Sequence, residues 1–121
     1  MKTRRLFWWA VFILYAVLIF YWSSRPIPEE APLPRFAGSD KLLHWAEYLL
    51  FGLLAFKAFA PHTQTQLFAV LLIVLLYAAS DEVHHLFVPQ REASIFDWGA
   101  DALGIFTALG LRWKLAAHFR A

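Results

Sequence analysis

The sequence predicts an all-α integral membrane protein, a single-domain bundle of four transmembrane helices with both termini in the cytoplasm. Three observations carry that expectation. The 121-residue chain is 60% hydrophobic and 18% aromatic, against the roughly 45–50% apolar content of soluble domains, and a domain this short has too little interior to keep such a load from water. The apolar residues fall into four runs separated by short polar or proline-rich segments. Lysine and arginine gather at both ends, as Lys2, Arg4 and Arg5 and as Arg112, Lys114 and Arg120. An even number of spans places both basic ends on one side, which the positive-inside rule makes the cytoplasm.

Crossing ~30 Å of hydrocarbon takes roughly 20 mostly apolar residues, fewer in a tightly packed bundle. The first run, residues 6–22, carries no charge, and Trp8, Trp9, Tyr21 and Trp22 suit the two lipid–water interfaces. Its basic leader also suits a cleaved signal peptide. The run is long, however, and Ser23-Ser24-Arg25-Pro26 lacks a small-x-small cleavage pattern, so it is expected to stay as an anchor. Residues 23–39, with Pro26, Pro28, Pro32 and Pro34, read as an extended extracytoplasmic loop, because proline fixes φ and removes a donor. Arg25, Glu29, Glu30 and Arg35 are solvated charges of that loop.

The second span covers residues 42–60 and stops at Pro61; a polar turn, His62 to Gln66, follows. The third apolar run, from Leu67, ends early at Ala79, so the span must continue through Ser80-Asp81-Glu82-Val83-His84-His85 to residue 85. After Pro89-Gln90-Arg91-Glu92 the fourth span covers residues 95–111, where Gly99, Gly104 and Gly110 allow close helix contact. Lys57 snorkels to the cytoplasmic interface. There is no internal repeat. The absence of cysteine excludes disulfides, thiol nucleophiles and thiolate metal sites. Basic residues in short terminal clusters beside apolar runs give nucleic-acid binding no support.

The charges that interrupt the spans gather at one depth. Asp40, Lys41, His44 and Glu47 open the second span; Asp81, Glu82, His84 and His85 close the third; Arg91, Ser94, Asp97 and Asp101 precede or open the fourth. At ~100° per residue, Asp40, His44 and Glu47 share one helix face, Ser94, Asp97 and Asp101 share another, and Asp81 and His85 are one turn apart. An ionisable group at the centre of a span costs about 2.5–3.5 kcal/mol even on the mild insertion scale, so these stripes are expected to turn inward and form one polar pocket that opens away from the cytoplasm. Carboxylates beside imidazoles there are raw material for acid–base chemistry, with His44, Glu47, Asp81, Glu82 and Asp97 as the candidates. The cofactor is unknown; a divalent metal suits His44, Glu47, Asp81, His85, Asp97 and Asp101 as hard nitrogen and oxygen ligands. Arg91 and Lys41 suit a phosphate, Arg91 as a bidentate fork. A structural alternative is that the acids pair with Lys41, Arg91 and the histidines and tie the helices together.

These polar stretches resemble the VanZ-like membrane proteins. The resemblance rests on Asp40-Lys41-x-x-His44-x-x-x-Tyr48, then Asp81-Glu82, then Arg91-x-x-Ser94-x-x-Asp97 and Gly104, with Ser23-Ser24-Arg25-Pro26 closing the first span. It covers nearly the whole chain; no single motif is specific, and the ordered set of three carries the resemblance. Two positions depart from the family pattern: His85 stands where Gln is usual and Asp101 where Asn is usual, each adding an ionisable group. The family's founding member is associated with low-level resistance to the glycopeptide antibiotic teicoplanin. The resemblance therefore implies a bacterial cytoplasmic (inner) membrane location and a cell-envelope role, and adds Tyr48 and Ser94 to Lys41 and Arg91 as ligand-binding candidates. The function expected is binding or modification of an amphiphilic or lipid-linked envelope molecule, an envelope precursor or an anionic lipid, at that outward-facing pocket. Whether the protein is an enzyme is left open. The competing functions are a non-catalytic membrane scaffold or accessory subunit, its proline-rich loop meeting a partner, and, ranked last, a small ion-coupled carrier.

Overall fold

A computed structural model describes residues 2–24, 39–89 and 94–120. Most of the proline-rich loop expected at 23–39, with Arg25, Glu29, Glu30 and Arg35, lies outside the described residues, as do Arg91 and the side chain of Asp40. The described chain forms four helices: α1 (Lys2–Ser23), α2 (Ser39–Phe59), α3 (Gln64–His85) and α4 (Ile95–Arg120). Among them α1, α2 and α3 are long and apolar enough to cross a membrane. Helix α4 is not in that group, because Asp97, Asp101, Arg112 and Lys114 interrupt its apolar sequence. The helices at the chain's ends overrun the apolar runs, α1 back to Lys2 and α4 on to Arg120, since the apolar stretch marks what lipid can cover and not where the backbone stops coiling.

Local signals set the boundaries. Ala60 closes α2 in the left-handed region at φ 46°, immediately before Pro61, the backbone reversal that commonly ends a helix. Thr63 opens α3 with a capping box: its hydroxyl accepts from the Gln66 N–H at 3.1 Å while the Gln66 side chain accepts from the Thr63 N–H at 3.3 Å. Helix α3 runs through the polar stretch to His85, as the short third apolar run required.

The pairings fix the packing. Antiparallel α1 and α2 meet through the ring pairs Trp9–Phe59 and Phe12–Phe51, with ring centroids 4.6 and 5.0 Å apart, and through the Tyr15 hydroxyl, which donates to the Glu47 carbonyl at 2.8 Å. Tyr77 on α3 donates to the Ala16 carbonyl of α1. The α2–α4 interface is the most extensive, and the two helices run parallel, since Lys41, His44 and Gly52 face Asp97, Asp101 and Ala108 in turn. Small residues make the approach possible. A Cβ on Gly104 would collide with the Trp45 carbonyl oxygen and lie 2.8 Å from the Leu49 nitrogen; one on Gly52 would lie 2.7 Å from the Ala108 Cβ. The core between the helices is built from Phe12, Phe51, Ala55, Val74, Ala78 and Ile105.

The outer surface is as apolar as the core. Leu14, Leu18, Phe68, Leu72, Leu76, Leu103 and Phe106 are all exposed, as are Ile95 and Phe96 at 76% and 75%. In water such contiguous exposure drives aggregation; against acyl chains it costs nothing. Helices long and apolar enough to cross a membrane and this apolar exterior together suit a lipid environment.

Candidate functional site

The N-terminal ends of α2 and α4 and the C-terminal end of α3 lie at the same end of the bundle, and the polar residues of all three converge there. Position comes first from helix periodicity. One turn separates Lys41 from His44 and Asp97 from Asp101, and the parallel α2–α4 packing sets the two stripes face to face. Lys41 Nζ lies 2.5 Å from Asp97 Oδ1. His44 Nδ1 lies 2.8 Å from Asp101 Oδ1, while its other ring nitrogen, Nε2, faces Asp97 Oδ2 at 3.8 Å.

Helix α3 closes the site from the other side. The Tyr48 hydroxyl donates to Asp81 Oδ2 at 2.9 Å, both residues being buried. Glu82 Oε1 accepts from the Ser94 N–H at 2.9 Å and lies 3.4 Å from His85 Nδ1. His85 Nε2 is 4.0 Å from Asp81 Oδ1, and the His85 ring stands edge-on to that of His44, 6.5 Å between centroids. Ser94 precedes α4 and caps it, its hydroxyl accepting from the Phe96 N–H at 3.1 Å. The acids benefit from this location. The partial positive charge at the start of α4 faces Asp97 in its first turn and the Glu82 carboxylate on the Ser94 N–H, and α2 brings a second N-terminus to the same end.

Several buried oxygens in the cluster are left without a hydrogen-bond partner: Asp81 Oδ1, Glu82 Oε2 and Asp101 Oδ2. Asp101 is fully buried, at 0% exposure. An orphaned buried carboxylate oxygen costs on the order of 1–3 kcal/mol, more when the group is charged. Among the described residues, one set of three has ligand-type atoms mutually within 4.8 Å: His44, Glu82 and Asp101.

Beside this polar centre runs an apolar groove of about 430 Å³ between the end of α3 and the start of α4, walled by Ala79, Val83, Leu86, Ile95 and Trp98, with Glu82 and Ser94 completing its lining. The Trp98 indole is anchored by Nε1–H donating to the Leu75 carbonyl at 3.4 Å.

The profile of the VanZ/LLP1 family matches residues 7–116, nearly the whole chain. The chain belongs to the VanZ/LLP1 family. Neither a curated protein nor a solved structure matches it. In this VanZ/LLP1 chain the residues read from sequence fall into distinct places. His44, Asp97 and Asp101 meet directly, with Lys41 on Asp97; Asp81, Glu82 and His85 face them from α3. Glu47 is half-buried on α2, one turn from His44, and is outside the set of three converging ligand atoms. Tyr48 sits in the core with its hydroxyl committed to Asp81, and the Ser94 hydroxyl is committed to capping. Trp98 and the groove it walls were not singled out in the sequence, where Trp98 is one aromatic residue among many.

Proposed function

We propose that this VanZ/LLP1 protein crosses the bacterial cytoplasmic membrane four times as one domain, with both termini in the cytoplasm, and uses the polar end of the bundle to bind an amphiphilic envelope molecule. The observation that carries the reading is the double position of Glu82. Its side chain lines the apolar groove and also stands in the polar centre with His44 and Asp101. A ligand with an acyl or prenyl chain in the groove would therefore bring its head group to the carboxylate–imidazole cluster. Exposed Val83, Leu86 and Ile95 at the groove continue into the lipid-facing surface, so such a chain enters from the bilayer without crossing water. Under the positive-inside rule the cluster faces away from the cytoplasm, toward the envelope.

Two experiments test this. Because the chain has no cysteine, single cysteines at Thr65 and Phe87 report topology without background. Thr65→Cys is expected to react with an impermeant maleimide only in opened cells and Phe87→Cys in intact ones; the reverse pattern refutes the orientation. For the ligand, vesicles containing a diazirine-acyl phosphatidic acid are expected to label Val83, Leu86 and Ile95 preferentially, and Ala79→Trp, which fills the groove, is expected to abolish the preference. Labelling spread equally over Leu14 and Leu18 of α1 would remove the case for a binding groove.

A second reading, a scaffold whose polar cluster holds helices together, draws on the direct Lys41–Asp97 and His44–Asp101 ties between α2 and α4. Neutralising Asp97 separates it from the first, as developed below.

A further inference from the structure

We infer that His44, Glu82 and Asp101 form a divalent-cation site, with a first-row ion such as Zn²⁺ as the ligand class. Convergence of acidic groups alone does not make a metal site. Here two further features point to a cation. The first is the pair of orphaned oxygens: Glu82 Oε2 and Asp101 Oδ2 have no hydrogen-bond donor, although the residues are only 6% and 0% exposed. Each carboxylate has its other oxygen occupied, Glu82 Oε1 by the Ser94 N–H and Asp101 Oδ1 by His44 Nδ1. The pattern is that of carboxylates oriented by one oxygen and presented by the other.

The second feature is charge. Asp81, Glu82, Asp97 and Asp101 place four carboxylates at this end of the bundle, and among the described ion pairs Lys41 is the permanent cation, engaged with Asp97. Two buried carboxylates and a neutral imidazole around a dication make a neutral assembly, which removes the desolvation penalty that isolated buried charges carry.

The geometry suits such an ion. Bonds of roughly 2.0–2.2 Å to nitrogen and oxygen imply neighbouring ligand atoms about 3 Å apart. His44 Nδ1 and Asp101 Oδ1 are 2.8 Å apart, and the whole set lies within 4.8 Å, so side-chain rotations alone close it. Binding would exchange the proton that His44 Nδ1 shares with Asp101 Oδ1 for the ion, and Nε2–H would then face Asp97 Oδ2, which lies 3.8 Å away and needs a small ring shift to accept from it. That is the arrangement in which a carboxylate orients a metal-bound histidine. Lys41 holds this carboxylate in turn, which makes Asp97 a positioning residue. Three protein ligands would leave a coordination position open, as in catalytic rather than structural sites, and Glu82, which also lines the apolar groove, would hold the ion beside it. The cation inference stands without the amphiphile: it is tested with the metal alone.

The test uses the full chain purified in detergent, stripped with EDTA and titrated with Zn²⁺ by calorimetry, with bound metal counted by mass spectrometry. One equivalent is expected. Asp101→Asn and Glu82→Gln are expected to weaken binding by more than about 100-fold, the upper end for losing a mere supporting partner, whereas His62→Ala, on the exposed α2–α3 turn, binds as wild type. Absence of binding by the wild type, or equal affinity in Asp101→Asn, overturns the inference. Should the variants fail to fold, X-ray absorption of the Co²⁺-loaded wild type decides: one imidazole nitrogen among oxygen ligands supports the site, and a shell without imidazole overturns it. Loss of acyl labelling with zinc binding retained would sink the amphiphile reading alone; the converse would sink only the cation.

Discussion

Gly104→Ala probes the link between packing and site. The added methyl would lie 2.8 Å from the Leu49 nitrogen and nearer still to the Trp45 carbonyl oxygen. Both are backbone atoms of α2, so no side-chain rotation relieves the clash. To bring the first contact to 3.4 Å, where ordinary van der Waals contact begins, α2 and α4 must separate by about 0.6 Å, and the carbonyl demands more. His44 immediately precedes Trp45, and Asp101 lies three residues before Gly104. The same displacement therefore stretches the His44–Asp101 contact from 2.8 Å past the ~3.2 Å limit of a good N–H···O bond.

Overpacking of this kind costs about 1–3 kcal/mol, and the weakened charge-assisted bond adds to it. We expect a loss of about 3 kcal/mol, a fall in melting temperature on the order of 10 °C for a chain of this size. The assay is a thermal melt in a mild detergent across four alanine variants. Gly52→Ala, whose methyl crowds the Ala108 methyl at 2.7 Å and meets the Ile105 backbone at an ordinary 3.5 Å, is expected to lie between Gly104→Ala and wild type. Gly99→Ala and Gly110→Ala, with nothing within 4 Å, are expected to melt at or above wild type, since alanine is the better helix former. A Gly104→Ala variant melting with wild type, or a Gly99→Ala variant equally damaged, would refute the close α2–α4 contact.

Two further substitutions read the polar centre. Tyr48→Phe removes the donor to Asp81 Oδ2 while Asp81 Oδ1 already lacks a partner; the variant should lose about 1–3 kcal/mol in a melt, and wild-type stability would show that Asp81 does not depend on the tyrosine. Asp97→Asn keeps shape and removes charge. With the Lys41 and Asp97 side chains 41% and 13% exposed, the pair is partly open to solvent and should contribute no more than about 1 kcal/mol, yet zinc affinity should fall about 10–100-fold through the loss of the His44 orienting group. A drop of about 3–5 kcal/mol, the mark of a broken buried pair, with unchanged zinc affinity would favour the scaffold.

Helix number and the approximate extents of the apolar runs are legible in the sequence because both follow from lipid exposure, which composition reports directly. The inward polar stripes are legible too: the i, i+4 spacing puts Asp97 and Asp101 on one face, and both meet His44. Partner choice is not. Asp81 and His85 share a helix face, yet the Asp81 hydrogen bond goes across to Tyr48 and its approach to His85 stays at 4.0 Å. That choice depends on how α2 and α3 are rotated about their axes, which spacing within either helix leaves free. The sequence marks Glu82 as an acid–base candidate and not as a ligand, because the Ser94 N–H that takes one of its oxygens and leaves the other unpartnered comes from a different segment of the chain. The T-x-x-Q capping box at Thr63 was available as a local signal and lies in a turn that otherwise reads only as polar.

The distribution of ties also bears on why the charges are there. Polar glue is needed where packing is poor, but the Lys41–Asp97 and His44–Asp101 ties join α2 and α4, the pair already brought into backbone contact through Gly104 and Gly52. Helix α3 meets α2 and α4 over less extensive surfaces, and there the charged groups leave Asp81 Oδ1 and Glu82 Oε2 without donors. A cluster selected for cohesion would satisfy the weaker interfaces first, and neutral Asn or Gln would do so at lower desolvation cost. His85 and Asp101 go the other way, placing ionisable groups at buried sites. Asp101 in particular puts a fully buried carboxylate where an amide would have satisfied the helix pair, and holding it there is intelligible if a cation occupies the space between it, Glu82 and His44.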